Sequence, residues 1–282
     1  MESYTAGKWE IRLRQGQMMG SESLDKLASE VGVKIPAVVY DNSFLAICHK
    51  EKNISFSITA NKALELTSFE KRSQVLSQGE EITLESISFL PRDLKVAHAK
   101  HWVGRTIPKG ATFSEDSSVQ EIAKIFQSGC DWTYTTPYKG TWINDGNLIF
   151  CKTEEEIPLH RLGMDNPILW GGEVILYEDE LDDCGQCKFY VRIRAMADCF
   201  FALVRFYLRV DHVIVRIFDT RIFHSYEENS VIREFQAREA TYDELRAGGF
   251  NISPQWSIDS RQSDIVYGHL KIVHCFKDKI SY

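Results

Sequence analysis

The chain is predicted to be an α+β protein: an antiparallel β-sheet core, in one layer or two packed layers, with short peripheral helices. Three observations predict this. From Cys187 onward apolar residues alternate strictly, with Cys187, Phe189, Val191, Ile193 and Ala195 on one parity and Lys188, Arg192 and Arg194 on the other. The pattern returns in Phe200, Ala202, Val204, Phe206 and Leu208 against Arg205 and Arg209. It returns again in Val213, Val215 and Ile217 against Arg216, and in Val231, Phe235 and Ala237 against Glu234 and Arg238. Period two in β-branched and aromatic residues marks half-buried strands. The runs are separated by about two to five residues, enough for hairpin turns but not for the long crossover that parallel strands need, so they form an antiparallel meander. Helical periodicity is confined to short stretches elsewhere, which places helices at the edge of the sheet rather than between its strands.

In chain order, residues 8–13 (KWEIRL) alternate and predict a first strand. Ser21 and Ser23 are N-cap residues for a helix presenting Leu24, Leu27, Ala28 and Val31 on one face, with Gly32 suited to its C-terminal left-handed position. Residues 38–49 and 54–58 read as a hairpin about 51–53, and Thr59 caps a second helix running to Phe69. Residues 70–92 are polar with weak periodicity and read as a surface excursion. A short helix over 94–103 turns Val96, Ala99 and Val103 inward, and 105–117 is a loop. Ser118 and Glu121 form a capping box for a helix over 119–128, closed by Gly129. The segment 131–140 (DWTYTTPYKG) predicts a strand, with 147–152 as its return. Residues 151–185 carry ten Asp/Glu against Lys152 and Arg161, and contain a strand at 173–177 followed by EDELDD at 178–183. After the meander, Thr241 and Glu244 form a second capping box, for a helix ended by Gly248 and Gly249. The tail from 253 mixes loop with a strand at 270–276. No composition shift marks a boundary, so 1–282 is expected to be one domain.

At 282 residues the chain can bury a large core. Hydrophobic content of 44% with 26% charged residues is that of a globular protein, and a net charge of −7 argues against a general nucleic-acid binder, which needs a basic footprint. The start of the sequence shows no apolar signal region, and no apolar run reaches the length of a bilayer span. Seven scattered cysteines then read as reduced thiols, and a cytoplasmic or nuclear location is expected, with neither nucleic acid nor membrane as partner.

The sequence carries little catalytic chemistry. GxxxxGK[ST], GxGxxG after a strand, GxSxG and HExxH are absent. Cys184 and Cys187 form a lone CxxC that opens a strand rather than a helix, without the second ligand pair of a structural zinc site. His98 and His101 would share a helix face but lack a third ligand. The carboxylates of EDELDD do not follow the alternating order around a glycine that a calcium loop needs; they read as a solvated acidic turn or as an acidic rim facing a basic partner. No catalytic residue, metal site or cofactor is expected.

The meander is the exception. Residues 186–238 hold nine Lys/Arg against six Asp/Glu within an acidic chain, and Arg192, Arg194, Arg205, Arg209 and Arg216 fall on the parity opposite the core. Tyr207, Phe218 and Phe223 lie on the same strands. Arginine mixed with aromatics is typical of binding surfaces, although a solvated sheet face gives the same pattern. Asp219 and Arg221, two apart on a strand, share a face: they pair with each other or both face a ligand, and a bend in the strand is a third reading.

The segments 131–140 (DWTYTTPYKG), 177–181 (YEDEL), 191–196 (VRIRAM), 204–210 (VRFYLRV), 215–221 (VRIFDTR) and 232–239 (IREFQARE) resemble, in order and spacing, the TIPRL family of TOR signalling pathway regulator-like proteins. The likeness extends to 8–13, 24–32 and 54–64, and thins at 70–92 and over the last thirty or so residues. It implies a non-catalytic regulator, not an enzyme, acting in TOR signalling. The implied partner is the catalytic subunit of type 2A protein phosphatases, including its C-terminal tail, together with the alpha-four (Tap-type) regulatory subunit. Matched positions nominate contacts: Ile168 as an apolar anchor, Ile217, Asp219 and Arg221 as a patch at a strand end, and Asp131, Trp132, Tyr134 and Lys139 along a groove. On that reading Asp219→Leu weakens capture of the partner and leaves the melting temperature nearly unchanged. Two other readings stand beside it: a hydrolase using the 178–183 carboxylates with His224, and a β-sheet module that binds peptides of another partner.

Overall fold

The computed structural model describes residues 1–31, 35–65, 138, 140–143, 148–163, 165–181, 185–212, 214–252 and 260–282. Among these the strands form two antiparallel sheets. The smaller contains β1 (Glu2–Ala6), β2 (Trp9–Arg14), β4 (Phe44–His49), β5 (Ile54–Thr59) and β6 (Thr141–Ile143), adjacent in that order. The larger has eight strands in the order β3 (Val38–Val39), β8 (Trp170–Asp179), β9 (Gly185–Ala195), β10 (Cys199–Val210), β11 (Ile214–Ser225), β12 (Ser230–Thr241), β13 (Lys271–Ser281) and β7 (Ile149–Lys152). The helices are α1 (Ser21–Val31), α2 (Ala60–Glu65), α3 (Tyr242–Ala247) and α4 (Ser260–Tyr267), with a 3-10 turn at Leu159–Leu162.

The sheets pack face to face, and one apolar cluster joins Trp9, Ile11, Leu45 and Phe56 of the small sheet to Val191, Ile193, Phe200 and Val204 of the large one. The indole of Trp9 crosses the interface and donates to His224 Nε2 at 2.9 Å. The predicted meander is present, with unbroken registers between β9 and β10 and between β10 and β11. Its last hairpin opens into α3, where the Thr241 hydroxyl accepts from Glu244 N–H and the Glu244 carboxylate accepts from Thr241 N–H. Both halves of the predicted capping box are therefore in place. Thr59 likewise caps α2, accepting from Lys62 N–H at 3.3 Å; the further course of that helix to Phe69 lies outside the described residues, as do the excursion 70–92 and the helices expected at 94–103 and 119–128.

Several expectations change. The run 38–49 is not one strand. Asn42 takes a left-handed φ of 54° and breaks it, so Val38–Val39 pairs with β8 in the large sheet while Phe44–His49 forms the hairpin with β5. Asn tolerates this conformation where β-branched residues do not. β7, expected as the return strand of 131–140, pairs with β13, and β6 pairs with β5; residues 131–137 and 139 lie outside the described residues. Arg216 lies on the core-side parity: the register sets it opposite Leu208 and Glu239, while Val215 and Ile217 fall on the outer face with Arg205 and Arg209. Alternation misleads there because both faces of β11 are buried, so apolar residues occupy either parity. β1 and α4 had no predicted counterpart.

Candidate functional site

The outer face of the large sheet, turned away from the small sheet, carries most of the nominated residues. One end is covered by α3 and α4, whose Tyr242, Leu245 and Val266 pack with Tyr207, Val215 and Ile217. At the other end the 3-10 turn covers Phe223 and Ile232 with Ile157 and Leu162. There Arg161 lies over the Phe223 ring and holds Asp198 at 2.6 Å. Burial pushes the Asp198 carboxyl up, but the hydrogen bonds from Asn166 and Arg161 outweigh it and hold its pKa down at about 2.

Beneath α4 lies a buried ion network. Arg205, 3% exposed, donates to both oxygens of Asp219, at 2.6 and 2.8 Å, and Asp219 is 0% exposed. Arg205 also donates to Ser263 Oγ at 3.0 Å and to the carboxylate of Asp264, both on α4. Burial works against the charge on Arg205, but Asp219 more than offsets it and holds the guanidinium pKa well above its ordinary value. Tyr267 closes the network from above. Its ring faces the guanidiniums of Arg205, Arg221 and Arg238 at 4.2–5.3 Å, and its hydroxyl accepts from Arg221 at 2.6 Å and donates to Gln236 at 2.8 Å. Burial pushes the Tyr267 hydroxyl up to about 12.

The patch drawn from the sequence lies largely within this network. Ile217 and Asp219 are both 0% exposed, and Arg221 is tied to Glu234, Tyr267 and Asp219. The arginine wall is in large part internal: Arg209 and Arg216 are also buried, each against its own carboxylate, Asp211 and Glu239. Alternation set Arg205 and Arg209 on the face turned away from the main core, but a second covering layer leaves no trace in that pattern.

Between the two covered ends the face is open among the described residues. A shallow depression of about 170 Å³ is lined by Arg192, Arg194, Phe201, Leu203 and Asp264. Arg192 is held by Glu173 and, at 3.4 Å, by Asp264. Arg194 is exposed and makes no ion pair or hydrogen bond among the described residues. Gly171 lies opposite Arg194 in the β8–β9 ladder. Its lack of a side chain matters here, because a Cβ would sit 2.6 Å from the Ile193 carbonyl oxygen and 3.6 Å from Ile168 Cγ2. Ile168, a nominated anchor, is 53% exposed next to Leu169, 55% exposed, whose N–H donates to Ala195 O at 2.9 Å. An uncompensated guanidinium therefore neighbours two exposed aliphatic side chains and the half-buried Phe201 and Leu203. The sequence held a signal for the last two: they sit on the outward parity of an otherwise continuous apolar run. Nothing in the sequence pointed to Asp264 or Leu169.

The remaining nominations divide simply. Asp131, Trp132, Tyr134 and Lys139 lie outside the described residues, as do His98, His101, Cys184, Asp182 and Asp183. The acidic run is partly structural: Glu178 accepts from the Tyr40 hydroxyl at 2.7 Å, and Asp179 accepts from the N–H groups of Ala37 and Leu181. His224 is 2% exposed, takes the Trp9 N–H on one ring nitrogen and bonds the Ser230 carbonyl through the other, so both its nitrogens are engaged in the fold. Cys187 is fully buried and its thiol is pushed well up by burial, the reverse of an activated thiolate. Among the described residues no three His, Cys, Asp or Glu side chains gather to hold a metal, and no helix is long and apolar enough to cross a membrane.

Comparison with known proteins gives the family. The model of the TIP41-like family matches residues 38–246. The chain is 31% identical over 242 residues to the TIP41-like protein of Homo sapiens, spanning 85% of this chain and 77% of that one. It is 30% identical over 252 residues to the type 2A phosphatase activator TIP41 of Saccharomyces cerevisiae, spanning 87% and 65%. With the TIP41-like protein of Caenorhabditis elegans identity rises to 39% over 166 residues, 58% of this chain and 54% of that one. These matches span the strands that build the open face, and the family is the one that the strand motifs resemble: the chain belongs to the TIP41-like family.

Proposed function

We propose that the chain is a non-catalytic regulator that binds the catalytic subunit of type 2A protein phosphatases and alters its activity or its assembly with other subunits. The relatives from Saccharomyces cerevisiae and Schizosaccharomyces pombe are named as type 2A phosphatase activators. The observation that carries the reading to this chain is the open part of the large sheet, where unpaired Arg194 stands beside exposed Ile168 and Leu169. A guanidinium beside apolar anchors suits a peptide segment that presents both an acid and a hydrophobic side chain, as a C-terminal tail does. In this proposal Ile168 and Arg194 touch the partner. The segment bearing Asp131, Trp132, Tyr134 and Lys139 supplies further contacts. Ile217, Asp219 and Arg221 support the surface from within. The setting is TOR signalling in the cytoplasm and nucleus, with the alpha-four subunit as a further member of the complex.

The test is to titrate a purified type 2A catalytic subunit with this chain, with and without the subunit's C-terminal tail, following activity and complex formation. Saturable binding that weakens without the tail is expected, and the direction of the activity change gives the sign of regulation. Absence of a complex at micromolar concentrations contradicts the proposal and favours a peptide-binding module for another partner.

A further inference from the structure

We infer that the depression beside α4 is a carboxylate-binding subsite, and that Asp264 is its built-in competitor. The one carboxylate that enters the depression from α4 already shows what the site accepts. Asp264 bridges two guanidiniums on neighbouring strands, that of Arg205 below and that of Arg192 at the rim. It does so from an exposed position, with 52% of its side chain open to water, whereas Arg205 beneath is 4% open. Arg205 has a second and better-shielded counter-ion in Asp219, and Arg192 has one in Glu173. Neither arginine depends on Asp264 alone, so a carboxylate arriving from outside displaces it without leaving a buried charge bare.

Arg194 gives the incoming group a reason to bind. It lines the same depression and has no counter-ion among the described residues. A carboxylate held between Arg192 and Arg194 gains charge-assisted hydrogen bonds from two guanidiniums, while Phe201 and Leu203 form the apolar floor for the residue that carries it. The occupant is thus an acidic group on an extended segment of a partner protein. That this partner is a phosphatase rests on the reading above; the subsite itself does not. Asp264 sets the threshold, since any ligand must compete with a carboxylate tethered to the wall. It also confers selectivity, because a neutral peptide cannot replace it.

The experiment uses the whole chain and needs no phosphatase. Arginine Nε–Hε resonances are followed while sodium acetate or inorganic phosphate is added at constant ionic strength. The proteins are wild type, Asp264→Asn and Arg194→Ala, with Arg233 as internal control because it is paired with Asp278 elsewhere. Acetate is expected to shift Arg192 and Arg194 saturably and leave Arg233 unmoved. Half-saturation should fall about three- to fivefold in Asp264→Asn, the factor equivalent to losing one exposed ion pair. Arg194→Ala, a change at an exposed side chain, should abolish saturation at Arg192 while the fold is kept. Unsaturable shifts, equal shifts at Arg233, saturation by phosphate alone, or no gain in Asp264→Asn would overturn the inference. Failure to bind a catalytic subunit, with acetate saturation intact, would overturn only the identity of the partner.

Discussion

Replacing Asp219 with leucine removes the anion from a guanidinium that has almost no contact with water. Arg205 is 3% exposed and its two bonds to Asp219, at 2.6 and 2.8 Å, are the bidentate pairing that arginine makes best. Breaking a buried pair from one side costs about 3–5 kcal/mol, because the surviving charge stays desolvated. Asp264 remains as a half-exposed second counter-ion, which places the expected loss near the lower end, about 3 kcal/mol. For a chain of this size that is a fall in Tm of roughly 6–12 °C. The assay is thermal and urea denaturation of wild type, Asp219→Leu, Arg205→Met and the double variant. The double variant should be less destabilised than the sum of the singles, since it leaves no orphaned charge. A Tm within about 2 °C of wild type for Asp219→Leu, or simple additivity, would refute the reasoning.

Stability should also fall with acid in a defined window. His49 and His224 both have pKa values lowered by burial, so the folded chain keeps them neutral below the ordinary histidine value. The unfolded chain binds their protons first as pH drops through about 6.5, and each histidine then costs up to about 1.4 kcal/mol per pH unit until the folded form also titrates. Urea midpoints measured from pH 7.5 to 5.5 should decline, and His224→Phe should flatten the decline. Thr241→Ala removes one half of a complete capping box at α3 and should cost about 1 kcal/mol, read from the urea midpoint with the slope unchanged. Ile168→Asp, at a 53% exposed position, should leave Tm unchanged and weaken capture of a type 2A catalytic subunit about tenfold or more.

The meander was legible because each strand turns one apolar face to a shared core, and that demand writes itself as period two wherever the other face stays polar. The capping box at Thr241 was legible for a similar reason: both partners are local in sequence. What escaped is non-local. Nothing in residues 260–267 announces that α4 lies across β10 and β11, so the arginines of the outer face read as a surface when Arg205 is in fact interior. On β11 burial on both faces erased the period, and Arg216 was set on the wrong side. Nothing local to β7 announces that it joins β13 from more than a hundred residues away. Ile168, by contrast, was nominated by resemblance and is found exposed beside Arg194.

The most direct measurement is the affinity of a purified type 2A catalytic subunit for wild type and for Arg194→Glu, with Tm recorded on both. Arg194 is exposed and unpaired among the described residues, so reversing its charge should leave the fold untouched and lower affinity by about tenfold or more. Equal affinity in the two proteins would mean that the open face of the large sheet is not where this chain meets its partner.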